Sequence, residues 1–108
     1  MALSAPAALI GAVELWVTAA AHRRGEFGYV LARSAWGQGY ATEAAATVLT
    51  YAFEQAGLHR VAATCDPANV ASRRVLEKIG MKYEGHLHDY LHIRGEMHDR
   101  LLFAAVHP

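Results

Sequence analysis

The stretch from Ala41 to Gly57 constrains this chain more than any other. Ala41, Ala44, Ala45, Val48, Leu49, Ala52, Phe53 and Ala56 recur at the spacing of a single helical face. Gly57 follows where a glycine commonly ends a helix in the left-handed conformation. Glu26 to Leu31 ahead of it and Leu58 to Cys65 behind it read as strands. A strand, a helix and a strand joined by short connections imply a parallel pair with a crossover, so the centre of the chain is α/β.

The flanks read differently. Leu9 to Val17 is a strand, and the polar turn His22 to Gly25 makes it a hairpin with Glu26 to Leu31. After Cys65, Asp66 to Asn69 forms a capped turn, and Val70 to Ile79 is a second helix ended by Gly80. Lys82 to His92 and Met97 to Val106 are closing strands, with Arg94-Gly95 as the hairpin turn. The expected architecture is a mixed α/β sheet with two helices packed on it.

Composition sets the class. With 108 residues, 54% of them hydrophobic, the chain supports one domain, residues 1–108. Ten basic and ten acidic side chains give no positive field to gather nucleic acid. The single cysteine, Cys65, forms no internal disulfide and fits a reducing cytoplasm. Ala2 to Val13 lacks the basic flank of a signal peptide and contains Pro6 and Gly11. No apolar run approaches the roughly 18 residues of a membrane helix, so the expectation is a soluble cytoplasmic protein without a membrane partner.

Chemistry concentrates before the first helix, at Trp36-Gly37-Gln38-Gly39-Tyr40-Ala41-Thr42-Glu43-Ala44. A glycine-containing loop entering a helix offers unpaired N–H groups and the positive end of the helix dipole, which suits phosphate. Gly37 and Gly39 let the backbone approach a ligand closely. No Gly-Lys-Ser/Thr follows, and Thr42 stands where a dinucleotide fingerprint has its third glycine. A second group lies at Asn69, placed as a helix N-cap, and Ser72, on the stripe of Val75, Leu76 and Ile79.

These residues resemble the GNAT N-acetyltransferases. The family's Gln/Arg-x-x-Gly-x-Gly/Ala segment is similar to Trp36 to Ala41, with Trp36 in place of Gln or Arg. The longer string to Ala44, the run Asn69 to Met81, and the tail with Glu84-Gly85 and Arg94 to Asp99 look like its RimJ/RimL-like branch. The resemblance covers the chain from Leu9 onward and implies the GNAT acyl-CoA N-acyltransferase core. The first strand, first two helices and second strand of that fold have no counterpart before Leu9.

The resemblance implies transfer of an acetyl group from acetyl-CoA to a primary amine, either a protein N-terminal α-amine or a small molecule. The alternative is a non-catalytic acetyl-CoA-binding module or a fragment of a longer acetyltransferase. Trp36, Gly37, Gln38, Gly39, Tyr40, Ala41 and Thr42 would hold the coenzyme A pyrophosphate, Asn69 the pantetheine arm, and Ser72 would lie near the sulfur. An α-amine with pKa about 8 requires only modest base assistance. Glu26 occupies the family's base position, with Glu14 a weaker candidate. Leu31 would supply a backbone N–H to the thioester carbonyl oxygen. Leu76 stands where many relatives have a tyrosine acid, which leaves Ser72 to protonate the departing thiolate.

Two further expectations concern metal and assembly. His86, His88, His92 and His98 alternate along strands without a paired His-x-x-x-His face, so no metal site is expected. Leu9 to Val17 is an apolar sheet edge without lysine or proline, and the lead-in Ala2 to Ala8 is too short to cover it with a helix. A second copy covering that edge predicts a homodimer.

Overall fold

Alternation along β2 (Gly11–Ala19) and β3 (Arg24–Leu31) sends Leu15 and Phe27 to a buried face and Trp16 and Glu26 to the other. The structure, a computed structural model, describes residues 2–4, 11–31 and 40–107. β2 and β3 pair antiparallel, as expected, through the short 3-10 turn Ala20–His22. β3 starts at Arg24, earlier than the sequence suggests. Arg23 turns the chain in the left-handed conformation at φ 51°, and its carbonyl accepts the His59 N–H at 2.7 Å.

The expectation of a bare β2 edge is corrected. Ala2–Ser4 forms a strand, β1, antiparallel to β2 with Ala2 opposite Trp16, Leu3 opposite Leu15 and Ser4 opposite Glu14. A three-residue strand satisfies an edge that the same segment is too short to cover as a helix.

The helix expected from Ala41 is α1 (Tyr40–Glu54), which buries Ala45, Val48, Leu49 and Ala52. Gly57 ends it at φ 69°, and the Leu58 N–H returns to the Ala52 carbonyl at 2.9 Å. Leu58 thus belongs to the end of the helix, and β4 (Arg60–Cys65) begins two residues later than expected. α2 (Val70–Lys78) is capped by Asn69, whose side chain accepts the Ser72 N–H at 3.0 Å.

β5 (Lys82–Ile93) and β6 (Glu96–Val106) form the closing hairpin. Its turn, Arg94 and Gly95, has φ 51° and 81°, the left-handed pair that matches strand twist. The six strands make one sheet in the order β1-β2-β3-β4-β6-β5, with β3 and β4 parallel and the other pairs antiparallel.

Both helices lie on one face. There Val48, Ala52 and Leu76 close over Leu15, Phe27, Val61, Cys65, Leu101 and Phe103. Leu76 and Phe103 are wholly buried, each contributing about 1.5–3 kcal/mol relative to exposure. Among the described residues no helix is long and apolar enough to cross a membrane.

Candidate active site

β3 and β4 pair only through Arg24 with Arg60, Gly25 with Val61 and Glu26 with Ala62. β3 continues to Leu31 and β4 to Cys65, so beyond Glu26 the two strands part. Backbone groups released from a ladder in this way need other partners, and a ligand can supply them. The opening encloses about 220 Å³ and is lined by Trp16, Glu26, Phe27 and Gly28 with Ala63, Thr64 and Tyr90. That volume is below the roughly 300–1,000 Å³ of a typical ligand pocket, so it suits the reacting ends of two small groups rather than a whole nucleotide.

Because β3 and β4 run parallel and each leads into a helix, the N-termini of α1 and α2 lie at the same end of the sheet, beside this opening. Ligands of α/β sheets bind beyond the carboxyl ends of parallel strands, and helix N-termini favour anions there.

Glu26 is the last residue of β3 paired with β4, half-buried on the cleft wall, and no ion pair among the described residues neutralises it. Ser72, in the first turn of α2, is buried, with Asn69 capping the same turn. Leu31 ends β3, and Tyr40, Ala41 and Thr42 open α1. Trp36, Gly37, Gln38 and Gly39 lie outside the described residues, as do the side chains of Glu14 and Leu31. Cys65, at the end of β4, is a buried free thiol; burial pushes its pKa up, and Arg100 and Arg73 pull it the other way.

Thr64, Trp16 and Tyr90 are among the cleft residues that escaped the sequence reading. Thr64 lies two residues beyond Ala62 on the same face as Glu26, a signal the alternation carried. Arg100 holds it, donating from Nε to the Thr64 hydroxyl at 3.1 Å and from Nη2 to its carbonyl at 2.9 Å. Trp16 stands opposite Glu26 on β2, and Tyr90 sits where β5 breaks register. On the β5–β6 hairpin, His86 and His88 meet Asp99.

Residues 1–82 match the family described as the acetyltransferase (GNAT) domain. This chain belongs to the GNAT acetyltransferase family. YoaA of Bacillus subtilis, an uncharacterized N-acetyltransferase, is 36% identical over 100 residues, covering 93% of this chain and 56% of YoaA. The [ribosomal protein uS5]-alanine N-acetyltransferase of Escherichia coli is 32% identical over 81 residues, 75% of this chain and 42% of its own length. Mycobacterium smegmatis RimJ, solved in complex with CoA-disulfide, superimposes with a TM-score of 0.84 at 40% identity, covering 90% of this chain and 47% of RimJ. The chain therefore spans about half the length of the relatives it matches. The mixed sheet with two helices found here matches part of the GNAT fold of the RimJ-like relatives.

Proposed function

We propose that this GNAT domain transfers an acetyl group from acetyl-CoA to a primary amine in the cleft between β3 and β4. The observation that carries the reading is the parting of the two parallel strands after Glu26 and Ala62, beside two helix N-termini. Acetyl-CoA supplies an activated thioester. The residues present fit it, with Gly37 and Gly39 preceding α1 in sequence and Asn69 and Ser72 at the start of α2.

Glu26 takes the proton from the amine, directly or through water, as nitrogen bonds to the acetyl carbon. The N–H of Leu31 stabilises the carbonyl oxygen as it gains charge. The carbon–sulfur bond then breaks, and Ser72 returns a proton to the thiolate. The acceptor is a protein N-terminal α-amine or a small amine; the named activity of the uS5-alanine relative supports the first. The setting is the cytoplasm, in keeping with the free Cys65 thiol. Self-association belongs to the same proposal: among the described residues β1 pairs with Glu14–Trp16 of β2, and a second copy pairing at this margin of the sheet gives a homodimer. Light scattering that finds a monomer at tens of micromolar removes this part.

Incubation with acetyl-CoA and a panel of N-terminal peptides and small amines, followed by free-thiol release, tests the reading. Amine-dependent release supports it. Saturable acetyl-CoA binding without release from any amine identifies a binding module instead.

A further inference from the structure

Three potential metal ligands, His86, His88 and Asp99, lie together at a bulge in the β5–β6 hairpin. Leu87 pairs with Arg100 and Leu91 with His98, so His88, Asp89 and Tyr90 of β5 stand opposite Asp99 alone. The extra length is taken up at Asp89, which adopts the left-handed conformation at φ 49°. Its N–H donates to Asp99 Oδ1 at 2.9 Å, which fixes the orientation of the carboxylate. The other oxygen, Oδ2, then lies 2.7 Å from His86 Nε2 and 3.4 Å from His88 Nδ1. The two imidazoles stack nearly parallel, their centroids 4.4 Å apart and their planes at 16°.

We propose that His86, His88 and Asp99 form a binding site for a divalent transition-metal ion of the zinc class. The three ligand atoms all lie within 4.8 Å of one another. Zinc bonds of about 2.0–2.2 Å in a tetrahedron place neighbouring ligand atoms about 3.3 Å apart. The His88–Asp99 separation of 3.4 Å already meets that spacing. The His86–Asp99 pair opens by about half an ångström from its hydrogen-bonded 2.7 Å as the ion takes the place of the proton between them, the ligating neutral ring carrying its one proton on Nδ1. Asp89 keeps its hydrogen bond to Oδ1 while Oδ2 ligates, the outer-shell support that orients a metal-bound carboxylate.

The donors suit the ion. Two imidazoles and one carboxylate favour zinc, copper or nickel over calcium or magnesium, which prefer all-oxygen sets. Three protein ligands leave a fourth position for water, and His88 is 79% exposed, so the ion has a direct approach. The neighbouring cation, Arg100, is turned to Thr64 by two hydrogen bonds. The site is separate from the transfer chemistry proposed above, although Tyr90 of the same bulge lines that cleft.

Calorimetric titration of the untagged protein with zinc chloride tests the site, alongside His86→Gln, His88→Gln, Asp99→Asn and the control His92→Gln. Saturable 1:1 binding is expected, weakened at least tenfold in the first three variants and unchanged in the control. Asp99→Asn retains an oxygen for the Asp89 N–H, and the exposure of His88 makes His88→Gln safe for folding; unaltered circular dichroism verifies both. Cobalt provides a second probe, its visible absorption gaining the intensity of a four-coordinate site only when all three ligands are present. Zinc binding equally tight in His86→Gln and His88→Gln, or no saturable binding below about 1 mM, overturns the proposal.

Discussion

Gly25 is the point in the sheet where one methyl group should do the most damage. A Cβ placed there lies 2.6 Å from Leu58 Cδ1 and 2.7 Å from the Trp16 carbonyl oxygen. Leu58 can turn its methyl aside, but the Trp16 oxygen is backbone in β2, paired to β3 across Val17 and Gly25. Gly25 cannot slide the other way either, because Val61 of β4 pairs with it there. Overpacking of this kind costs about 1–3 kcal/mol. In a domain of this size each kcal/mol lowers the melting temperature by about 4–8 °C, so Gly25→Ala should melt about 8–16 °C lower for a mid-range cost of about 2 kcal/mol. Gly85→Ala is the matched control, since a Cβ there meets nothing within 4 Å. It should stay within about 0.5 kcal/mol of the parent, as open-surface substitutions do. Thermal unfolding followed by circular dichroism reads both. Equal melting temperatures for the two variants would refute the packing argument and the tight β2–β3–β4 spacing behind it.

Ser72→Ala should lower kcat more than it weakens acetyl-CoA binding, because protonation of the thiolate belongs to the transition state; equal losses assign Ser72 to positioning alone. Glu26→Gln should depress the rate most at lower pH, where neutral amine is scarcest, and a constant ratio across pH removes Glu26 as base. Cys65, buried with its pKa pushed up, should react with a disulfide reagent at pH 8 only after unfolding; a native rate matching the unfolded one contradicts its burial. Arg60 Nη1 donates to Glu84 at 3.0 Å, and this hydrogen bond holds the Glu84 carboxyl below its ordinary 4.5. A depressed carboxylate stabilises the fold above its unfolded pKa and loses that contribution as pH falls through the folded value. The pair is exposed and contributes less than about 1 kcal/mol, so the small stability deficit of Glu84→Gln at pH 7 should vanish well below pH 4.5; a deficit that persists there excludes the ion pair as its source.

Legibility followed the range of the interactions. α1 could be read because its buried stripe repeats within one element, and Asn69, Gly57 and Arg94-Gly95 act on neighbours a few residues away. The parallel β3–β4 pair followed from the crossover rule, but the point at which it opens did not. That point is set by packing across the sheet. β1 was missed because three residues form a strand only when a partner edge is waiting. Thr64 was readable from alternation, whereas the meeting of His86 and His88 with Asp99 depends on the β5–β6 register, and the place of Tyr90 on two extra residues in β5. A bulge changes the partner of every side chain beyond it without altering the pattern from which alternation is read.

We propose that the glycine-containing segment preceding α1 in sequence holds acetyl-CoA by its backbone. Calorimetric titration of acetyl-CoA into the parent and into Gly39→Val tests this most directly. The parent should bind saturably, and the valine should raise the dissociation constant at least tenfold, about 1.4 kcal/mol, with the fold intact by circular dichroism. Identical affinities, or no binding to the parent, would contradict the account.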